Sequence, residues 1–68
     1  MPHYNLTIIT SEASNNALIH ALEKQYNILI VDKKKHFRNT IKTADGYLVV
    51  LYKEKKNVEI STDLLINL

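Results

Sequence analysis

The stretch KTADGYLVVLYKEKKNVEIST, residues 42–62, decides the fold that we predict for this 68-residue chain. Its two runs of β-branched and aromatic residues are each bounded by polar turn residues, a pattern typical of strands. Asp45-Gly46, which separates the runs FRNTIKT and YLVVLYKE, is the strongest hairpin signal in the chain and indicates a type I′ turn. A second turn at 55–57 leads into VEIST. We therefore predict three consecutive antiparallel strands.

The second turn decides which face of these strands is buried. A two-residue loop would turn Glu59 toward the apolar face, so we expect a three-residue loop with Asn57 in the left-handed conformation. The face that we expect a helix to cover consists of Ile41, Leu48, Val50, Tyr52, Val58 and Ile60. The opposite face would then expose Tyr47, Val49 and Leu51 in a row.

Upstream of these strands the pattern predicts a β-α-β unit. HYNLTIIT (3–10) alternates as a strand does, and a helix of about 13 residues follows, with Ser11 as N-cap, an end near Gln25 and Asn27 as its left-handed last residue. NILIV (27–31) is typical of a buried strand, and residues 32–36 form a polar turn. The helix reverses the chain, so the first two strands are parallel with a right-handed crossover.

The fold class predicted is α+β, a single small domain over residues 1–68 with the order β-α-β-β-β-β. One helix packs on a mostly antiparallel sheet, in which the last four strands form a meander. The position of the first strand in the sheet stays open. The tail DLLINL (63–68) is either a strand or a helical turn, and it covers the Tyr47 face of its own chain or of a second copy.

Composition restricts the class of protein. The chain is 46% apolar with a net charge of +2, as ordinary globular domains are, and it has no cysteine for a disulfide or a thiolate metal site. A domain this small needs extra buried area, so we expect a homodimer. No apolar run is long enough to span a bilayer, so we expect a cytoplasmic protein with no membrane partner. The many residues with AT-rich codons indicate a bacterial or viral genome.

Two surfaces are candidates for binding. The partner-binding set is the exposed row with its charged rim: Arg38, Lys42, Tyr47, Val49, Leu51 and Lys53. In a meander the turns at 33–36 and 55–57 lie at the same end of the sheet. The set predicted for nucleic acid, through that end and the open face, is Lys33, Lys34, Lys35, Arg38, Lys55 and Lys56.

No residue pattern predicts catalysis, a cofactor or a metal site. His3, His20 and His36 have no metal-ligand spacing, and the only glycine is used by the hairpin. The carboxylates include no close pair on one face. Ser61, like the other serines, has no base nearby in the sequence. We therefore expect a protein that is not an enzyme.

Pro2 supplies one remote enzymatic alternative. A proline after the initiator Met, opening a β-α-β unit in a short chain, resembles the small tautomerases, in which an amino-terminal proline acts as the base. The likeness covers only Pro2 and the order of elements, and Arg38 has no clear match among the arginines that bind the acidic substrate in that family. With Met1 present, the Pro2 nitrogen lies in a peptide bond and cannot act as a base.

The function expected from these residues is that of a small non-catalytic binding protein. Such a protein occupies a surface of a larger macromolecular partner, a protein or a protein–nucleic acid complex, as inhibitors and adaptors of phages and mobile elements do. The alternative is a nucleic-acid-binding protein that uses the lysine-rich end and the open sheet face.

Overall fold

The protein is built from five strands and one short helix, a broadly α+β arrangement. The computed structural model describes residues 1–12 and 17–68, with side chains for 1–12 and 20–68. The elements are β1 His3–Thr10, α1 Ala17–Glu23, β2 Ile28–Asp32, β3 Phe37–Lys42, β4 Tyr47–Lys53 and β5 Lys56–Asn67. Residues 13–16, which we predicted as part of the helix, lie outside the described residues. The helix ends at Glu23, two residues before the predicted end at Gln25.

The five strands form one mixed sheet in the order β2-β1-β5-β4-β3. β1 pairs in parallel with both β2 and β5, whereas β5–β4 and β4–β3 are antiparallel. The parallel pairing of β1 with β2 is confirmed. The predictions of a mostly antiparallel sheet and of a four-strand meander are wrong, because β2 pairs with β1 alone. The tail is a strand, and as the second half of β5 it supplies the edge on which β1 pairs.

The sheet curls so that its two edge strands approach each other at the turn that connects them. β2 and β3 are four strand spacings apart in the sheet order, which in a flat sheet is about 19 Å. The carbonyl of Asp32, the last residue of β2, nevertheless accepts a hydrogen bond from the amide of His36, just before β3, at 2.9 Å. The sheet is therefore strongly curved, and the 33–36 turn joins the end of one edge strand to the start of the other.

The core fills the inside of this curl. Five buried side chains form it, Ile9, Val31, Val49, Leu51 and Ile60, and Tyr4, Leu29, Phe37 and Leu65 pack against them. Along β5 the core positions run Ile60, Thr62 and then Leu65, so the inward-outward alternation breaks once after Thr62. The inward-outward alternation of the paired strand β1 also breaks once, between Tyr4 and Ile9. Both strands bend together, as strands do at the corner of a small barrel.

The faces of β3 and β4 are the reverse of those predicted. Val49 and Leu51, expected on the open face, are 0% and 5% exposed, whereas Ile41, expected in the core, is 49% exposed. The error arose at the β4–β5 turn, where the loop has two residues and Val49 pairs with Ile60. Helix α1 contacts chiefly β2. Among the described residues, Ile9, Val31 and Ile60 of the sheet form one buried cluster with Val49 and Leu51 of β4.

The left-handed two-residue turn that we predicted at Asp45-Gly46 occurs instead at Glu54-Lys55. Neither Asp45 nor Gly46 has a positive φ, and β3 and β4 pair from Lys42 and Tyr47 outward, so this loop has four residues and no type I′ geometry. The left-handed residues are Glu54 and Lys55, at φ 51° and 65°. Asn57 lies in β5 opposite Tyr52, which makes its predicted left-handed conformation wrong.

The prediction that Asn27 ends the helix in the left-handed conformation is also wrong, since its φ is not positive. Its side-chain amide instead donates to the carbonyl of His3 at 2.9 Å, and its own carbonyl accepts from the amide of Asn5 at 2.8 Å. The residue thus ties the start of β2 to β1.

Candidate binding surfaces

The row predicted as a set of apolar anchors is not a surface. Val49 and Leu51 are buried and Tyr47 is half-buried, so this part of the predicted contact set belongs to the core and its border. Substituting these core residues would test folding and not binding. The charged rim predicted around them, Arg38, Lys42 and Lys53, is exposed.

An apolar strip does exist on the other side of the same strands. It consists of Ile41, Leu48, Val50 and Tyr52, and we call it the hairpin face. Ile41 is half exposed and the other three are half-buried. Val50 lies opposite Glu59 of β5 and opposite Asn39 of β3, so the strip is bordered by polar side chains. Sequence reasoning found the strip but assigned it to the core.

Hydrogen bonds from its own backbone and side chains stabilise the lysine turn between β2 and β3. One carboxylate oxygen of Asp32 accepts hydrogen bonds from the amides of Lys34 and Lys35, at 2.9 and 3.2 Å. The ammonium group of Lys33 donates to the carbonyl of Leu68, at the end of β5. Lys34 and Lys35 are thereby held with their side chains exposed to solvent.

The two lysine-bearing turns lie at one end of the molecule, as predicted, although β2 and β3 do not pair. The amide of Tyr52 donates to the carbonyl of His36 at 2.7 Å, and the His36 ring Nδ1 lies 3.0 Å from the Tyr52 carbonyl. Lys53 and Lys56 then face each other across the Glu54-Lys55 turn. We call this region the basic end; its cations are Lys33, Lys34, Lys35, Arg38, Lys53, Lys55 and Lys56.

The charge of the chain is separated along the molecule. The basic end holds seven cations against the carboxylates of Asp32 and Glu54, a net +5, whereas the rest of the chain holds two cations against five carboxylates, a net −3. One of these five, Glu12, adjoins the lysine turn, because Thr10 bonds to the amides of both Glu12 and Lys33. The overall charge of +2 therefore conceals a strongly positive end. A field of one sign attracts an oppositely charged partner and raises its association rate.

A guanidinium–aromatic stack links the basic end to the hairpin face. The Arg38 guanidinium carbon lies 4.4 Å from the centre of the Tyr52 ring. The β3–β4 register shifts between Phe37 and Asn39, so Arg38 is the extra residue of an irregularity that directs its side chain onto the ring. At the other end of β4, the Lys42 ammonium lies 4.9 Å from the Tyr47 ring centre and bonds to the carbonyls of Thr43 and Gly46.

A polar cluster joins β1 to β5 at the opposite end of β4. His3 Nδ1 lies 2.7 Å from the Ser61 hydroxyl, and His3 Nε2 lies 3.1 Å from an Asp63 carboxylate oxygen. The parallel pairing of β1 with β5 brings these residues together across 58 positions of sequence, which is why no nearby base for Ser61 was seen. The amide of Ser61 also donates to the carbonyl of exposed Pro2, at 3.0 Å. About half of the His3 and Asp63 side chains is exposed, and the set acts as a clamp between the strands.

The other titratable groups form local contacts. His20 Nδ1 lies 3.0 Å from the Glu23 carboxylate one turn along the helix. Within residues 1–12 and 17–68, no three side chains of the types His, Cys, Asp or Glu come together as a metal site. In the same part of the chain, no helix has the length and apolar character needed to cross a bilayer.

Comparison of the chain with protein-family models, with curated proteins and with solved structures gives no match.

Proposed function

We propose that the chain is a small non-catalytic binding protein that occupies a surface of a larger macromolecular partner. The contact surface is the basic end together with the adjoining part of the hairpin face. The observation that carries this proposal is the separation of charge, with +5 concentrated beside a half-buried tyrosine that bears a stacked arginine. An inhibitor or adaptor of the kind that phages and mobile elements encode works in this way.

The partner surface that this geometry fits is acidic. Exposed lysines at the rim raise the association rate and make it depend on salt, while they add little affinity individually. Arginine and tyrosine are the residue types that most often anchor an interface, and Arg38 and Tyr52 are already held against each other before binding. The ordering cost of binding is therefore partly met in the free protein.

Nucleic acid is the second candidate partner, and the stack of Arg38 on Tyr52 is the observation that favours it. Aromatic rings and guanidinium groups stack on bases, and lysines around them neutralise phosphates. In this case each phosphate contact releases counterions, so the affinity falls steeply as salt rises.

The test uses two variants with the same change in net charge. Lys34→Gln/Lys35→Gln and Lys24→Glu each lower the net charge from +2 to 0. Lys24 precedes β2 and the lysine turn follows it, so the length of β2, roughly 16 Å, separates the two sites. Only the first variant touches the basic end.

The first measurement is the solution mass, by light scattering, of the wild-type chain with short single-stranded and double-stranded DNA at low and moderate salt. A salt-sensitive rise in mass that Lys34→Gln/Lys35→Gln abolishes and Lys24→Glu retains makes nucleic acid the partner. A mass that DNA leaves unchanged directs the search to proteins, by cross-linking in host extract. A protein partner lost with the first variant and kept with the second supports the proposal; equal capture by both variants overturns the basic end as the site.

A further inference from the structure

The parallel half of the sheet carries a second apolar surface, on the side away from the core. Register pairs place Ile28, Leu6 and Leu64 in one row across β2, β1 and β5, and Ile30, Ile8 and Ile66 in the next. Paired residues share a face of the sheet, so these six aliphatic side chains form a grid. We call it the aliphatic face.

The part of the aliphatic face that β5 contributes is exposed to solvent. Leu64 is 64% and Ile66 43% exposed, although each stands beside the buried or half-buried aliphatic residues of β1. A cleft of about 320 Å³ lies next to Leu64, and its walls are Asn5, Leu6, Leu22, Tyr26 and Ile28. The Tyr26 side chain stands at this cleft and is itself 58% exposed.

From this placement we propose that the chain forms a two-fold symmetric homodimer through its aliphatic face. A two-fold interface uses the same patch on both copies, so it needs a projecting group and a recess side by side. Tyr26 and Leu64 are the projecting groups, and the cleft between them is the recess. This inference is independent of the proposed function, because it uses none of the residues of the basic end.

The exposed area is of the size that a dimer requires. Leu64, Ile66, Tyr26 and Leu68, which follows the same side of β5, expose on the order of 400 Å² together, at roughly 200 Å² for a fully exposed large side chain. That is as large as the largest apolar patch of a typical monomer. A dimer would bury about twice this apolar area, and a polar rim would raise the total buried area above the roughly 1,000 Å² of a specific interface.

Charge favours a second copy at this face over one at the basic end. None of the described residues that line the cleft beside Leu64 is charged, and the one cation bonded to this face is Lys33, whose ammonium donates to the Leu68 carbonyl at the end of β5. Two copies joined through their basic ends would instead set +5 against +5. By burying this area, a 68-residue chain without cysteine also gains stability that other small domains obtain from disulfides or metals.

The test is the solution mass of the wild-type chain and of two matched variants over a dilution series. Leu64→Glu places a charge in the proposed interface, and Ile41→Glu places the same charge on the hairpin face, at a position of similar exposure. We expect twice 7.9 kDa for the wild type and for Ile41→Glu, and 7.9 kDa for Leu64→Glu with an unchanged circular dichroism spectrum.

A single-chain mass for the wild type at every concentration overturns the proposal and leaves the face to a different partner. Dissociation by Ile41→Glu and not by Leu64→Glu overturns it too, and assigns the dimer to the hairpin face. Isotope-filtered NMR on a mixture of labelled and unlabelled wild-type chains needs no variant. Contacts between the methyl groups of Leu64 or Ile66 and the second copy are expected, and a dimer without them contradicts the proposal.

Discussion

Gly46 lies so close to Thr62 that a β-carbon added to the glycine would overlap the Thr62 carbonyl oxygen. The two residues belong to different parts of the sheet, the β3–β4 loop and the middle of β5. Both are buried, and Gly46 does not have a positive φ. The glycine is therefore required for the close approach of two backbones and not for the geometry of the turn.

Gly46→Ala should destabilise the chain by about 1–3 kcal/mol, because the new methyl group meets backbone atoms that cannot rotate away. The measurement is the midpoint of urea unfolding. Ala44→Gly is the control, since it removes a methyl group at an exposed position of the same loop and should cost no more than about 1 kcal/mol. Equal effects of the two changes would show that the loop tolerates the methyl group by shifting away from Thr62.

Replacing Glu54 and Lys55 with the residues that left-handed turns prefer should stabilise the chain. Both residues have positive φ, which costs non-glycine residues about 1–2 kcal/mol each. Glu54→Asn/Lys55→Gly keeps the net charge of +2 and should raise the unfolding free energy by about 1 kcal/mol.

The matched control for the turn is Ala44→Asn/Asp45→Gly, the same pair of residues in the loop without positive φ. Thermal unfolding of both variants is the measurement. Stabilisation by the control alone would mean that the left-handed turn lies in the β3–β4 loop and not at Glu54-Lys55.

The sequence predicted the β-α-β opening and the three antiparallel strands because runs of branched residues and polar turns signal them locally. It placed Ile60 of β5 in the core correctly but reversed the faces of β3 and β4, because a loop one residue shorter than predicted at Glu54-Lys55 moves every side chain of these two strands to the other side relative to β5. It could not predict the curl or the contact of His3 with Ser61 either. Both depend on the parallel pairing of β1 with the tail, for which the sequence carries no local signal.

Two lysine substitutions on adjacent residues of β4 test the reversed faces directly. Val49→Lys places a charge at a position with 0% exposure, so the chain should lose most of its cooperative unfolding transition. Val50→Lys points outward, opposite Glu59, and should leave the chain folded. Circular dichroism with thermal melting distinguishes the two. The faces first predicted require the reverse, a folded Val49→Lys and an unfolded Val50→Lys.

Thr7 is fully buried in β1, and its hydroxyl has no hydrogen-bond partner among the described residues. A buried hydroxyl without a partner costs about 1–3 kcal/mol, and valine has the same shape without it, so Thr7→Val should stabilise the chain. Thr62 is equally buried in the paired strand, but its hydroxyl donates to the carbonyl of Leu64 at 2.9 Å. Thr62→Val should therefore lower the free energy of unfolding. Urea unfolding of the two variants should shift in opposite directions, and a loss of stability in Thr7→Val would mean that its hydroxyl is satisfied in solution.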